Sequence, residues 1–267
     1  MTNKNIEKIS VDIIIPVYNE EKILKKSVKQ LMGFLKKRFR YDWKIVIADN
    51  ASIDKTQEVG EALQKKYNKV KYVRIPQKGR GRALRKTWLD SKADIVSYMD
   101  VDLSTQLDAF PVMISALVNG FDVGTGSRLM SYAAVKRSLK REILSRGYNL
   151  LVRMFLNTHF SDAQCGFKAV RKDVARKLIP LIKDDEWFFD TELLVLAEKK
   201  GYRIFEIPVG WIEDKDSRVH IRKTVTDYIK SLFRMRVGLF EKGYGKHEIS
   251  SMGAKFLKLR KRLGNKK

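Results

Sequence analysis

Ile95-Val96-Ser97-Tyr98-Met99-Asp100-Val101-Asp102-Leu103-Ser104-Thr105 is an apolar run that ends in two carboxylates spaced i, i+2. Read as a strand, its alternation sends Asp100 and Asp102 to the same side at the C-terminal end. In an open parallel α/β sheet, that end is where ligands bind. Two carboxylates this close repel unless one protonates or a cation neutralises them. A hard divalent ion, Mg2+ or Mn2+, takes one or two carboxylates together with phosphate oxygens and meets that need. Asp-x-Asp pairs also decorate solvated turns, so the strand before the pair is what turns the reading toward a site.

That strand closes a series. Residues 11–17, 43–48, 70–75 and 94–99 read as strands, and helical patterns separate them, running through Phe34, over 53–67 and over 81–91. Strands joined by single helices imply a parallel sheet with right-handed crossovers. Beyond Asp102 the rhythm changes. Helices are predicted over 108–119, 137–156, 172–182, 190–200 and 224–240, and strands over 122–127, 166–170 and 203–209, with Gly201 ending the helix before the last strand. No repeat or low-complexity linker appears. The two halves, 11–104 and 105–240, are expected to share one sheet, with an extension at 1–10 and a basic tail at 241–267.

Composition narrows the function classes. A 44% hydrophobic content over 267 residues argues for a folded core. The lone Cys165 excludes an internal disulfide framework and suits a reducing compartment, and the presence of only three histidines argues against a multi-His zinc site. The start lacks the apolar core of a signal peptide, and no long uncharged apolar run predicts a transmembrane helix. Fifty-five basic against 31 acidic residues leave a net charge of +24, which speaks of partners rather than of fold. Residues 128–153 hold seven Lys/Arg against Glu142, and 246–267 hold eight against Glu248. Both stretches interleave charge with apolar residues, as helices at an anionic membrane surface do. A solvated basic face with a frayed tail is the plainer alternative.

Three further places carry chemistry. Asp49 ends the second strand, where an acid accepts hydrogen bonds from a base or ribose; there Asp49 or Ser52 would also serve as helix cap, and Asp54 as a first-turn partner of the helix dipole. Gln77-Lys78-Gly79-Arg80-Gly81-Arg82 places two glycines and basic side chains before a helix, an anion site without Walker or Gly-x-Gly-x-x-Gly spacing; a surface turn is the alternative. Arg141 and Ser145 fall on one helical face and, with Arg128, would clamp a phosphate; Arg141 reads equally as a solvated partner of Glu142. Cys165 reads as a packed core thiol.

Taken together, Pro16-Val17-Tyr18-Asn19-Glu20, Asp49, Gly79/Gly81 and Asp100-Val101-Asp102 resemble the GT-A glycosyltransferases of family 2. Asp162-Ala163-Gln164-Cys165-Gly166-Phe167-Lys168, Trp187-Phe188-Phe189-Asp190-Thr191-Glu192 and Glu206-Ile207-Pro208-Val209-Gly210-Trp211 resemble the dolichyl-phosphate glucosyltransferases, and Gly126-Ser127-Arg128 is shared with the dolichyl-phosphate mannose synthases. The resemblance implies a GT-A fold and an inverting, metal-dependent transfer of a hexose, glucose favoured over mannose, from a nucleotide diphosphate sugar to a polyprenyl phosphate. UDP-glucose is the favoured donor and GDP-mannose the second candidate. Pro16, Tyr18, Glu20 and Asp49 would line the nucleoside pocket, with Lys78, Arg82 and Arg218 toward the diphosphate. Asp100 and Asp102 would hold Mg2+ or Mn2+, with Ser104 where the mannose synthases place a Gln ligand. Arg128, Arg141 and Ser145 would take the lipid phosphate. Asp190 would orient the reacting groups or be linked to the metal rather than act as base, because a phosphate acceptor is already ionised. A cytoplasmic protein attached peripherally to a membrane is expected. A soluble saccharide or protein acceptor is the alternative, and a basic nucleic-acid-binding module a more remote one, disfavoured by the acidic cluster and the missing motifs.

Overall fold

The computed structural model describes residues 9–212 and 221–241. Arg218 and the basic tail from residue 242 onward lie outside the described residues. In chain order the elements are β1 (Ser10–Val17), α1 (Leu24–Arg38), β2 (Asp42–Asn50), α2 (Thr56–Lys66), β3 (Val70–Ile75), α3 (Arg80–Asp90), β4 (Ile95–Met99), α4 (Ala109–Val118), β5 (Val123–Ser127), β6 (Val135–Lys136), α5 (Leu139–Leu156), β7 (Phe167–Arg171), α6 (Lys172–Leu178), α7 (Phe189–Lys199), β8 (Ile204–Pro208), β9 (Trp211–Ile212) and α8 (Ile221–Glu241).

Seven strands form one sheet in the order β3-β2-β1-β4-β7-β5-β8. Every pairing is parallel except those of β7, which runs antiparallel to both β4 and β5. Helices cover both faces, which is why β1 and β2 read as near-continuous apolar runs instead of alternating ones. Ile13 and Ile15 of β1 pack toward α1 and α4, whereas Ile14 packs on the opposite side with Trp88 of α3 and Leu193 of α7. A small second sheet pairs β6 with β9, and Trp211 of β9 also bridges Thr105 just past the acidic pair.

The helices and strands expected from the sequence are present, with four informative differences. The helix expected from residue 53 starts at Thr56, because Asp54 Oδ1 accepts the Thr56 N–H at 3.0 Å while the Ser52 hydroxyl turns away to accept from Asn19 N at 2.9 Å. Ser52 is therefore not the cap. The helix expected over 172–182 ends at Leu178 and tightens into a 3-10 turn over Ile179–Leu181, since Pro180 lacks the N–H to continue it. Asp100 and Asp102 do not ride on the strand. β4 stops at Met99, the Leu103 N–H bonds back to the Asp100 carbonyl at 3.2 Å and Leu103 takes φ +51, so both acids stand on a tight turn. The paired strands β6 and β9 carry too few residues to leave a periodic signal. Gly201 does end α7, at φ +76.

Candidate active site

The loops that leave β1, β2 and β3 are laced together at the C-terminal edge of the sheet. Asn50 at the end of β2 donates to the Val17 carbonyl at 2.6 Å and accepts from Gly79 N at 3.3 Å. Asn19, held at φ +57, accepts from Ile53 N at 2.8 Å, and Glu20 N donates to the Thr56 hydroxyl at 2.8 Å. Pro16 is buried in β1, and Tyr18 lies half-buried with Lys78 Nζ 3.8 Å from its ring centroid. Tyr18 and Lys78, expected on nucleoside and diphosphate respectively, are thus neighbours. Asp49 is fully buried. Its oxygens accept from Ser52 N at 2.9 Å, from the Tyr72 hydroxyl at 2.6 Å and from Arg74 Nη1 at 2.8 Å. The carboxylate expected to bind a base therefore already holds three donors, two of them from β3. Arg82, expected on phosphate, pairs with Asp185 at 2.8 Å.

A buried ionic cluster lies beside the acidic turn. Asp190, in the first turn of α7, is 1% exposed and accepts from Arg80 Nη1 at 2.6 Å, with Lys168 Nζ 3.2 Å away and the Tyr98 hydroxyl bonded to its other oxygen. Burial by itself drives this carboxyl upward, but the charges of Lys168 and Arg80 and the Tyr98 hydrogen bond outweigh it and hold the group below the ordinary carboxylate range. Asp190 is therefore an ionised anchor held by three partners. Arg80 reaches on with Nη2 to Asp100 Oδ1 at 3.1 Å. Asp100 is the part-exposed member of the cluster, and Asp102 is exposed, its Oδ1 accepting from Ser104 N at 3.0 Å. From the sequence, Tyr98 and Lys168 had no site role, and Arg80 counted only as one basic side chain of an anion loop. A lysine inside the apolar strand segment Phe167-Lys168-Ala169-Val170 was the available signal, because a lysine is buried there only when paired.

β7 shapes the site from below. Its antiparallel register pairs Met99 with Phe167, and one step further sets Gly166 opposite Asp100. A Cβ on Gly166 would lie 1.8 Å from Asp100 Oδ2, so the glycine is the cradle of that carboxylate. Among the described residues no three His, Cys, Asp or Glu side chains gather into a metal cage. The donor set instead fits an ion that takes one or two carboxylates and completes its shell with substrate phosphate oxygens and water, as Mg2+ and Mn2+ do.

Of the three residues expected on a lipid phosphate, Arg128 is committed elsewhere. Its guanidinium forks onto the fully buried Asp162 at 2.8 and 3.0 Å, its backbone N–H donates to the same carboxylate at 3.1 Å, and the Trp211 ring lies 5.6 Å away. Burial pushes Asp162 up, yet Arg128 brings it down to about 2. Arg141 and Ser145 do share a stretch of α5, where Glu142 is bonded by Arg137 and Arg146 and is not left to serve Arg141 alone. Cys165 is fully buried, and burial raises its thiol to about 12, as a packed core thiol requires. Phe188 and Phe189 are core residues, whereas Trp187 is 40% exposed with Arg80 Cζ 4.8 Å from its ring centroid.

The family model described as "Glycosyl transferase family 2" matches residues 12–179. The glycosyltransferase AglD of Haloferax volcanii is 31% identical over 220 residues, 81% of this chain but 35% of that protein, so the chain spans about a third of AglD's length. The dolichyl-phosphate beta-glucosyltransferase ALG5A of Trichomonas vaginalis is 32% identical over 246 residues, covering 87% of this chain and 76% of the relative. Among solved structures, glucosyl-3-phosphoglycerate synthase of Mycobacterium tuberculosis, in complex with Mn2+ and uridine-diphosphate-glucose, superposes with a TM-score of 0.63 at 16% identity, over 89% of this chain and 84% of that one.

Proposed function

The chain belongs to glycosyl transferase family 2 and is a glycosyltransferase; from that premise we propose that it moves a hexose, glucose in preference to mannose, from a nucleoside diphosphate sugar to a polyprenyl phosphate with inversion at the anomeric carbon. UDP-glucose is the favoured donor. The observation that carries this reading is the state of Asp190. A carboxylate that already holds Arg80, Lys168 and Tyr98 is not free to strip a proton from a hydroxyl. A phosphate monoester needs no such help, being ionised at neutral pH.

In this reading Asp100 and Asp102 would hold the divalent cation that accompanies the donor diphosphate, with Gly166 beneath Asp100 and Arg80 beside it. When bound, the ion would offset charge growing on the departing diphosphate. Tyr18 and Lys78 border the donor, and Arg141 and Ser145 on α5 face the acceptor. An acceptor phosphate oxygen bonds to the anomeric carbon as the bond to the diphosphate oxygen breaks, in one displacement from the opposite side. No proton changes hands, so the site needs a rigid electrostatic frame and not a base.

The acceptor's membrane gives α5 and α8 a role. α5 exposes Leu139, Ile143, Leu150, Leu151 and Met154, and α8 exposes Ile229, Phe233 and Val237. The helices meet through Phe155 and Phe233, ring centroids 4.9 Å apart, and α5 carries Lys140, Arg146 and Arg153 along its length. Apolar ridges flanked by basic residues suit the surface of an anionic bilayer, each nearby Lys or Arg adding about 1 kcal/mol. Among the described residues no helix is long and apolar enough to cross a membrane. We place the attachment on the cytoplasmic leaflet.

The deciding assay offers labelled UDP-glucose and GDP-mannose with Mg2+ or Mn2+ to a polyprenyl phosphate, a free sugar and a small soluble phosphate. Label extracted into organic solvent as a β-linked sugar phosphate is the expected result. Equal or faster transfer to a hydroxyl acceptor would overturn the proposal.

A further inference from the structure

The Gly79-Arg80-Gly81 step is built for contact with its own protein. Gly79 sits at φ +148, and a Cβ there would lie 2.7 Å from the Asp185 carbonyl oxygen. A Cβ on Gly81 would lie 2.8 Å from Phe189 Cβ and 2.9 Å from the Glu186 carbonyl oxygen. Both glycines thus let the first turn of α3 settle onto residues 185–189, where Arg82 N donates to the Asp185 carbonyl at 3.0 Å. The side chain lowered into the site by this approach is Arg80. Its guanidinium carbon stands 4.8 Å from the ring centroids of both Tyr98 and Trp187, and its two terminal nitrogens reach different carboxylates, Asp190 at 2.6 Å and Asp100 at 3.1 Å.

We propose that Arg80 is a positioning residue of the active site, whose clamped guanidinium uses the buried Asp190 as a fixed post from which to aim the carboxylate of Asp100 at the cation on the donor diphosphate. Neutralising Asp190 does not require this geometry, because Lys168 and Tyr98 already face it. The reach to Asp100 is the outer arm of the fork, since the Asp100 side chain is 39% exposed against 8% for that of Arg80. What the planar fork provides is direction, and a lysine at the same place would have one compact charge and no second arm. The charges agree: two cations, Arg80 and Lys168, face two carboxylates, Asp190 and Asp100. Trp187 closes the stack from the solvent side, so aiming depends on an aromatic ring that is not itself a ligand.

The inference rests on the reading of Asp100 as a cation-holding residue, and the test separates the two. Free Mn2+ is followed by electron paramagnetic resonance while wild type, Arg80→Lys and Trp187→Ala are titrated with uridine or guanosine diphosphate present, alongside kcat and thermal midpoints. Arg80→Lys is expected to bind Mn2+ with the diphosphate about 10- to 100-fold more weakly, with kcat falling in step and circular dichroism unchanged. Trp187→Ala, at a half-exposed position that tolerates truncation, is expected to weaken binding by about 3- to 10-fold in the same direction, and it decides the matter should Arg80→Lys fail to fold. Wild-type Mn2+ affinity in the folded variants would remove the role of Arg80 and leave the cation reading standing. A wild-type protein that binds no Mn2+ with either diphosphate would remove the premise itself.

Discussion

Gly166→Ala adds one methyl group at the most consequential point of the site. The new Cβ would lie 1.8 Å from Asp100 Oδ2, 2.5 Å from its Cγ and 2.8 Å from Oδ1. Contacts below 3.0 Å are essentially never observed for a Cβ, so the nearer oxygen must retreat by about 1.2 Å. Gly166 is not held at a positive φ, so alanine meets no backbone penalty there and the perturbation falls on the carboxylate. A displacement of about 1 Å in a group that orders reactants costs on the order of 100-fold in rate, or about 2.7 kcal/mol of barrier. The purified variant is to be assayed for sugar transfer at saturating donor across a Mn2+ series, with thermal melting in parallel. The expected result is a kcat lowered about 100-fold, a higher Mn2+ requirement and a melting midpoint within a few degrees of wild type. Wild-type turnover in a folded Gly166→Ala protein would refute the claim that Asp100 works from that cradle.

The Arg128–Asp162 pair sets an acid limit. Asp162 falls from the usual 3.8 to about 2 on folding, so its contribution of about 2 kcal/mol is complete above about pH 5 and drains away as pH drops through 2. Asp162→Asn should cost about 3–5 kcal/mol at neutral pH by stranding the buried Arg128, and should flatten that acid limb in urea melts recorded from pH 7 to 2. Cys165 should resist Ellman's reagent in the native protein and react within seconds in guanidinium, since its thiol is buried and raised to about 12; rapid native labelling would contradict its packing. Ile143→Glu and Leu150→Glu, at exposed sites on α5, should each weaken sedimentation with anionic vesicles about tenfold while leaving turnover of a short-chain, detergent-soluble acceptor intact; unchanged vesicle binding would dismiss α5 as the attachment face.

The alternation of strand and helix through residue 99 was legible because each element writes its own period into consecutive residues. The acidic pair was legible for the same reason, as was the glycine-basic loop. What stayed hidden depends on residues far apart in the chain. Nothing local announces that Arg80 reaches Asp190 across 110 positions, or that Asp162 will occupy the fork of Arg128. The i, i+2 argument for Asp100 and Asp102 gave the right neighbourhood by the wrong geometry, since a turn and not a strand end presents them. Gly79 and Gly81, read as part of an anion site, leave room in the fold for residues 185–189. Glycines mark close approach, and sequence alone does not say to what.

The one antiparallel strand has a consequence for how the protein is made. β3, β2, β1 and β4 are all made by residue 99, but the partner for the other side of β4 is β7, which arrives only after α4, β5, β6 and α5. At about 5–20 residues per second, that edge stands open for seconds, with Val96 and Tyr98 displayed beside unpaired backbone groups. A nascent chain paused before residue 167 is therefore a template for strand addition by any neighbour, and a fragment ending near residue 104 should be recovered as aggregate. Synthesis through β7 closes the β4 edge, and the edge of β5 closes only when β8 follows.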